Sequence, residues 1–288
     1  MDIEQFIVKP SKGIQLKDFD PGFTGKYKKK DAKTLLQEGI DQLAEDQAKL
    51  YAQNTYSLLI LFQAMDAAGK DSTIKHVMSG INPQGCQVYS FKAPSSKERD
   101  HDYLWRSMKA LPERGRIGIH NRSYYEEVLV VRVHPNILAS QQLPDAIKNS
   151  PNIWQQRFEE INHFEKYLVN NGIIVLKFFL NVSKDEQKER FIDRIDRPEK
   201  NWKFSVQDVK ERAYWDDYMN AYEDMFQHTS TDWAPWHIIP ADHKWYTRLA
   251  VSQVVCQRLE ALNLRYPEVS DERRQELVED KKLLENEA

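Results

Sequence analysis

The stretch from Leu58 to Thr73 constrains the fold of this chain more than any other part of its sequence. It reads LLILFQAMDAAGKDST: an apolar run, a loop of small residues, a Gly-Lys pair, and polar residues that suit the first turn of a helix. A strand, a small-residue loop and a helix in this order present backbone N–H groups and the positive end of a helix to a phosphate chain, and the lysine adds a charge. The sequence therefore predicts a phosphate-binding loop.

This loop departs from the common pattern G-x-x-x-x-G-K-[ST]. Ala64 replaces the first glycine, and Asp71 stands where a magnesium-binding Ser or Thr is usual. The carboxylate of Asp66 among phosphates requires a metal ion to neutralise it. We therefore predict metal-dependent phosphoryl transfer in which Asp66 and Lys70 act directly; a turn that binds no ligand is the alternative. The predicted substrate contacts in and after the loop are Ala67, Ala68, Gly69, Asp71, Ser72 and Lys75.

Beyond the loop, apolar runs alternate with amphipathic segments. This alternation is typical of a parallel sheet with crossover helices, so we expect an α/β fold with a central parallel sheet of about five strands flanked by helices. The predicted strands are 57–65, 87–91, 116–120, 173–180 and 236–240, and the predicted helices are 33–51, 70–78, 100–110, 152–170, 184–195, 206–227 and 244–262.

Composition divides the chain into three parts. Residues 1–52 are expected to form an N-terminal extension with one amphipathic helix. Residues 53–266 are the α/β core, which includes a helical lid at about 184–205. Residues 267–288 are a charged tail, expected to be a loosely docked or frayed helix.

Charge and composition argue against several classes of function. The net charge of −3 gives no overall attraction to nucleic acid, so a polyanion has to bind at a local basic patch. No stretch approaches the roughly 18–20 apolar residues that span a bilayer, and the first residues lack the pattern of a secretory signal. The spacing of Cys86 and Cys256 favours buried thiols in a reducing compartment. We expect a cytoplasmic protein that binds neither nucleic acid nor membranes.

Polar side chains follow the predicted strands at the edge where open α/β sheets bind ligands. The fork of Arg122 can hold two phosphate oxygens at once, unless it only pairs with a carboxylate. Asn121 occupies the place of a strand-end aspartate, so Glu126 is the expected second carboxylate. We predict Asp66, Glu126 and Asn121 as metal ligands, Arg122 as catalytic, and Lys92, Asn121, Tyr125 and Glu126 as substrate contacts.

A basic stripe lies on the predicted lid. Arg190, Arg194 and Arg197 recur at i, i+4 and i+7 and therefore share one helix face, and Lys203 follows a proline break. On a mobile lid, this stripe would bring guanidinium groups to the transferring phosphoryl group. A solvated basic surface is the alternative. We predict catalytic roles for Arg190 and Arg194 and substrate contacts for Arg197 and Lys203.

Five motifs together resemble those of the type-2 polyphosphate kinases. They are DAAGKD at 66–71, FKAP at 91–94, NRSYY at 121–125, NWKFS at 201–205 and APWHIIPAD at 234–242. The resemblance implies a P-loop kinase-like three-layer fold, similar to thymidylate kinase, and reversible Mg²⁺-dependent phosphoryl transfer from inorganic polyphosphate to AMP or ADP, with Mn²⁺ as a substitute ion. Asn121 with Glu126 looks like the class III subgroup, which accepts both nucleotides.

The same resemblance implies roles for single residues. Asp66 would help to bind magnesium, and Lys70 would bind phosphate. Arg122, which comes after the third strand, would lie in the site. Arg190, Arg194 and Lys203 would lie in the closing lid, and the chain would form a homo-oligomer, either a dimer or a tetramer. An ATP-dependent nucleoside monophosphate kinase and a non-catalytic polyphosphate-binding protein are the alternatives.

Overall fold

A five-stranded parallel sheet forms the centre of residues 1–10 and 13–287, the part of the chain that the computed structural model describes. Its order is β2-β3-β1-β4-β5, which confirms the predicted α/β class. Every residue of the central strand β1 is buried, because neighbouring strands and flanking helices enclose it. The strands are β1 (Ser57–Gln63), β2 (Cys86–Ser90), β3 (Ile117–Asn121), β4 (Ile173–Asn181) and β5 (Trp236–Pro240).

Helices connect the strands and flank the sheet. The α-helices are α1 (Lys29–Gln53), α2 (Lys70–Val77), α3 (Ser96–Arg99), α4 (Trp105–Met108), α5 (Val130–Val133), α6 (Pro135–Ser140), α7 (Asp145–Lys148), α8 (Ile153–Asn170), α9 (Lys184–Asp196), α10 (Val206–Glu211), α11 (Trp215–Thr229), α12 (Lys244–Glu260) and α13 (Asp271–Glu285). Short 3₁₀ helices lie at Glu4–Phe6, Leu16–Asp18, Pro83–Gly85, Tyr124–Val128, Pro198–Lys203 and Arg212–Tyr214.

The N-terminal extension belongs to the same hydrophobic core as the sheet. Phe6 and Val8 are buried, and the Val8 N–H donates to the carbonyl of Trp236 in β5 at 2.8 Å. Leu43 on α1 is fully buried, and α1 packs against α12. Ser11 and Lys12 lie outside the described residues. On both sides of them, the extension packs against the core of the fold.

Two predicted helices differ from the structure. The segment 100–110 is helical only in α4, because the Leu104 N–H donates to the Asp102 side chain at 2.9 Å and this local turn competes with helix. The predicted helix 206–227 is divided into α10, a 3₁₀ turn and α11. Ser205 and Asp208 form a capping box at the start of α10, and Tyr214 leaves helical geometry with φ −93° and ψ 18°.

The lid and the tail have different degrees of packing. The segment predicted as a lid consists of α9 and the 3₁₀ helix Pro198–Lys203, and α10 follows it. The tail forms α13, in which every described residue is exposed; Ala288 lies outside the described residues. Within residues 1–10 and 13–287, no helix has the length and apolar character that a bilayer crossing needs.

Truncating Leu43 to alanine tests whether α1 is part of the core. Because Leu43 is fully buried, we expect Leu43→Ala to lower the free energy of unfolding by about 2–5 kcal/mol in a single transition, measured by urea denaturation. Glu38→Ala, at an exposed position of the same helix, is the control and should change stability little. A loss in Leu43→Ala no larger than that of the control would show that α1 is not part of the cooperative core.

Candidate active site

The phosphate loop, residues 64–69, connects β1 to α2 with a tight turn. Ala67 has φ 63° and Gly69 has φ 110°, both in the left-handed region. Glycine adopts this region readily, whereas alanine does so only when its surroundings hold it there. The helix α2 starts directly after the loop at Lys70, so the first N–H groups of α2, including those of Asp71 and Ser72, have no acceptor within the helix. The predicted strand–loop–helix unit is therefore present, with an anion-binding helix start.

Lys70 lies beneath the loop. Its Nζ donates to the carbonyl of Ala64 at 2.8 Å, at the end of β1, and the side chain is buried. Burial and the neighbouring charge of Arg122 lower the pKa of Lys70 to about 8. Backbone carbonyls therefore hold the charge of this lysine close to the phosphate loop. Its lowered pKa means that it loses its proton more easily than a surface lysine does.

Asp66 and Arg122 join the phosphate loop to the end of β3. Arg122 Nη2 donates to Asp66 Oδ1 at 2.8 Å, and Arg122 Nη1 lies 3.7 Å from Glu126 Oε2. The side chains of Arg122 and Asp66 are 40% and 32% exposed, so solvent screens the pair. The three side chains that sequence reasoning placed at the centre of the site are therefore together.

An open pocket lies beside this ion-pair cluster. Asp66, Arg122 and Glu126 form its charged wall, and Tyr218 and Tyr222 of α11 form an aromatic wall. The carboxylate of Glu211, at the end of α10, also lines the pocket and accepts a hydrogen bond from Tyr218 at 2.9 Å. The pocket is therefore bounded by the phosphate loop, the segment after β3 and the return from the lid.

Asp71 and Asn121 form a second contact between the phosphate loop and β3. Asn121 Nδ2 donates to Asp71 Oδ1 at 2.6 Å. In common phosphate-loop proteins the loop position carries a hydroxyl and the strand end carries the aspartate. Here the carboxylate is on α2 and the amide is on β3. Ser72, the next residue, accepts a hydrogen bond from Arg248 of α12 at 2.8 Å.

Tyr125 lies in the core, contrary to the prediction that it contacts substrate. It is fully buried, and its hydroxyl donates to Glu165 at 2.7 Å and accepts from Lys177 at 2.9 Å. The 3₁₀ turn after β3 directs Glu126 to the pocket and Tyr125 to the interior. Tyr125 therefore supports the segment that carries Arg122 and Glu126 and does not reach the pocket.

Arg190 also differs from its predicted place over the phosphates. It is 6% exposed, and its Nε donates to Glu186 at 2.7 Å. Its Nη atoms donate to the carbonyls of Ala67, Ala68, Ala241 and Asp242 at 2.6–3.0 Å. A guanidinium has five N–H donors, and all five have protein acceptors here. The i, i+4, i+7 spacing predicted a shared face but could not reveal that its first member is buried.

The remaining lid cations are more exposed. Arg194 is 24% exposed and lies 4.0 Å from Asp208 of α10. Burial, followed by the charge of Asp66, raises the pKa of Asp208, which indicates that this part of the lid is near the site. Arg197 pairs with Glu199 on the outer surface, and Lys203 lies over the ring of Trp202 at 5.0 Å.

Two predicted substrate contacts lie at the periphery of the site. Lys92 is exposed after β2, and its backbone carbonyl accepts a hydrogen bond from Arg106 at 2.7 Å. Lys75 is exposed on α2. Neither lines the pocket beside Asp66, so each remains a prediction for the path of an extended polyanion.

Sequence reasoning missed several residues of the site. Gln187 on α9 is buried and donates to the backbone carbonyl of Asp66 at 2.8 Å. Glu211, Tyr218 and Tyr222 line the pocket, and none of the three was a predicted site residue. A bond from a side chain to a backbone carbonyl has no motif, so no sequence signal points to Gln187. The available signal for Glu211 was its place shortly after the predicted lid.

The acidic groups of the pocket suit a magnesium site that has few protein ligands. Among residues 1–10 and 13–287, no group of three acidic, His or Cys side chains could enclose a metal ion. Mg²⁺, however, commonly takes only one or two carboxylates and completes its octahedron with water and substrate phosphates. Asp66 and Glu126 lie on the same wall of the pocket and supply two carboxylates. Asn121 does not line this pocket, so its predicted role as a ligand receives no support from the geometry.

The sheet order, the phosphate loop and the basic helix beside it together define a class of protein. A phosphate loop after the central strand of a parallel sheet, with carboxylates and an arginine beside it and a basic helix nearby, is the architecture of a phosphoryl-transfer protein. Residues 26–267 match the family model described as Polyphosphate kinase 2. The chain belongs to this family, as the sequence motifs predicted.

Named relatives and solved structures agree with the family. The chain is 54% identical over 245 residues to the ADP-polyphosphate phosphotransferase of Rhodopseudomonas palustris, covering 85% of each protein. It is 41% identical over 271 residues to the AMP/ADP-polyphosphate phosphotransferase of Meiothermus ruber, covering 92% of this chain and 96% of that one. A crystal structure of Polyphosphate Kinase 2 from Arthrobacter aurescens superposes with a TM-score of 0.84 at 42% identity, covering 93% of this chain and 94% of that one.

The lowered pKa of Lys70 predicts how activity depends on pH. Because phosphate binding needs the charged lysine, kcat/KM for phosphoryl transfer should fall as pH rises through about 8. The pKa of an unfolded lysine is about 10.4, so deprotonation of Lys70 between these values removes a buried charge and adds to stability. The loss of activity should therefore occur without loss of the native circular dichroism signal.

Lys70→Arg tests whether this lysine is the titrating group. The arginine stays protonated across this range, so any activity that the variant retains should show no decline near pH 8. A decline at the same pH in the variant would assign the titration to another group.

Proposed function

We propose that this chain transfers the terminal phosphoryl group of inorganic polyphosphate to AMP and to ADP, giving ADP and ATP. The names of its relatives describe that donor and those acceptors. The observation that carries the proposal is the position of Asp66 on the phosphate loop, 2.8 Å from Arg122 and beside Lys70. A protein that only bound polyanions would gain nothing from a carboxylate there.

The proposed mechanism relies on alignment and charge compensation. Donor and acceptor are both anions, so the protein has to hold two like-charged groups in line. The loop N–H groups and Lys70 would bind donor oxygens, and Arg122 would exchange its contact with Asp66 for acceptor oxygens. When bound at Asp66 and Glu126, Mg²⁺, or Mn²⁺ in its place, would neutralise charge on the phosphates of both substrates.

No general base is needed in this proposal. The attacking group is a nucleotide phosphate, which is already ionised at neutral pH, unlike the hydroxyl of a protein or sugar acceptor. The reaction makes one phosphoanhydride as it breaks another, so it should be readily reversible. We assign the pocket walled by Tyr218 and Tyr222 to the nucleoside of the acceptor, because the same pocket is lined by Asp66 and Arg122.

We also propose that the chain is a cytoplasmic homo-oligomer, either a dimer or a tetramer. Large apolar side chains are exposed, including Trp202 at 78% and Leu284 at 67%, and such groups favour burial against another surface. Cys86 and Cys256 are both free thiols, as expected in a reducing compartment. Sedimentation equilibrium would test the assembly.

A donor assay tests the proposed activity. Polyphosphate of defined length with AMP or ADP should give ADP or ATP only when Mg²⁺ or Mn²⁺ is present. Turnover with ATP and not with polyphosphate would instead identify an ATP-dependent nucleoside monophosphate kinase. Metal-independent binding of polyphosphate without turnover would identify a non-catalytic binding protein.

Asp66→Asn should abolish most of this turnover. The exchange keeps the size of the side chain but removes the charge that binds the metal ion, so we expect kcat to fall by about 10²–10³ with a native melting temperature. Asp100→Asn, at an exposed position, is the matched control. Near-normal kcat in Asp66→Asn across a range of Mg²⁺ concentrations would reject the metal role of this carboxylate.

Replacing each of two lid arginines with alanine should lower kcat to different extents. Arg194 lies beside Asp208 near the site, whereas Arg197 pairs with Glu199 on the outer surface. We expect Arg194→Ala to lower kcat by about tenfold or more and Arg197→Ala to lower it by much less, measured at saturating substrates. Equal effects of the two exchanges would contradict the catalytic role of Arg194.

A further inference from the structure

Side chains of α9 hold three consecutive backbone carbonyls of the phosphate loop. Gln187 Nε2 donates to the carbonyl of Asp66 at 2.8 Å. Arg190 Nη1 donates to the carbonyls of Ala67 at 3.0 Å and Ala68 at 2.7 Å. The two side chains are 1% and 6% exposed, so these bonds are protected from competing water.

The same two residues link the loop to other parts of the site. Arg190 Nη2 donates to the carbonyls of Ala241 and Asp242, which follow β5, at 2.6 and 3.0 Å. Gln187 Oε1 accepts from Arg212 at 2.6 Å, just after the returning helix α10. Both ends of the lid therefore meet at the root of α9, directly behind the phosphate loop.

The loop needs such support because of its backbone conformation. Ala67 has φ 63°, a left-handed conformation that an alanine leaves unless its surroundings hold it. The side chains of α9 bind the carbonyl of Ala67 and those of its two neighbours, Asp66 and Ala68. Without these bonds the loop would relax, and its N–H groups would lose their alignment with a phosphate chain.

We propose that Gln187 and Arg190 are positioning residues that hold the phosphate loop in its phosphate-binding conformation and tie it to the root of the lid. The inference rests on the proposed function for its kinetic consequences, but its structural content is the conformation of residues 64–69. Arg190 then acts through the loop and does not touch the transferring phosphoryl group, since all five of its N–H donors are already engaged.

Two conservative variants test the proposal. Gln187→Glu keeps the acceptor for Arg212 but loses the donor to Asp66, and Arg190→Lys keeps the charge but cannot span the two loops. We expect kcat to fall by about 10–100-fold in each, because a small displacement of an aligned group has this effect, while KM for the nucleotide stays within about threefold. Glu189→Gln, an exposed reverse exchange on the same helix, is the matched control.

A rescue variant separates positioning from general structural support. In the Arg190→Lys background, Ala67→Gly removes the cost of the left-handed conformation, because glycine adopts it freely. We expect this second exchange to restore kcat by about fivefold or more without raising the melting temperature of the single variant to the wild-type value. An unchanged kcat, or a recovery that only follows the melting temperature, would overturn the positioning role.

Hydrogen exchange makes the inference independent of turnover. Backbone N–H groups of residues 64–69 should exchange faster in Gln187→Glu and Arg190→Lys than in the wild type or Glu189→Gln. Absence of wild-type turnover with polyphosphate would reject the proposed function and leave this readout intact. Loop exchange equal to that of the wild type, or an Arg190→Lys enzyme with raised KM for polyphosphate and normal kcat, would overturn the positioning role itself.

Discussion

The parallel pairing of β1 with β3 on one side and β4 on the other places the charged groups of the site at one edge of the sheet. In this register Phe62 of β1 is opposite Asn121 of β3, so the residues that follow each strand emerge side by side. Gln63 is likewise opposite Phe179 of β4, whose chain continues into the lid. The Asp66–Arg122 contact is a direct consequence of this register. A shift of one residue would turn every side chain of the strand to the other face.

Two ion pairs, one in the site and one in the core beneath it, have different consequences. The pair between Lys177 and Glu165 is fully buried and linked to the hydroxyl of Tyr125, and breaking it would leave an uncompensated charge in the core. The pair between Arg122 and Asp66 is partly exposed, and pairs of this kind contribute little to stability. In the proposed mechanism, a phosphate would therefore replace Asp66 at Arg122 at small cost, whereas the buried pair would keep the underlying backbone fixed.

Sequence reasoning succeeded where local pattern determines structure. The loop residues Asp66 to Lys70 and the strand at 236–240 follow from motif and apolar runs, and both are present. It did not foresee that Arg190 is buried, because helical spacing shows which residues share a face but not whether that face meets solvent or core. It did not foresee that Tyr125 is buried either, because a place after a strand end does not show which side chains turn inward. Bonds from Gln187 to a backbone carbonyl depend on how α9 packs against a loop more than a hundred residues earlier. No local pattern encodes that contact.

The division of α9 into a fixed root and a freer end explains how a lid can move without disturbing the loop beneath it. Gln187, Arg190 and Phe191 are buried, whereas the following Ile192 and Ile195 are about half exposed. Regions with few buried apolar contacts open at the lowest free energy cost. Motion should therefore begin beyond Phe191 and involve Arg194, Arg197 and Lys203. One helix would then both support the loop proposed to bind the donor phosphates and carry the cations proposed to close over the transferring phosphoryl group.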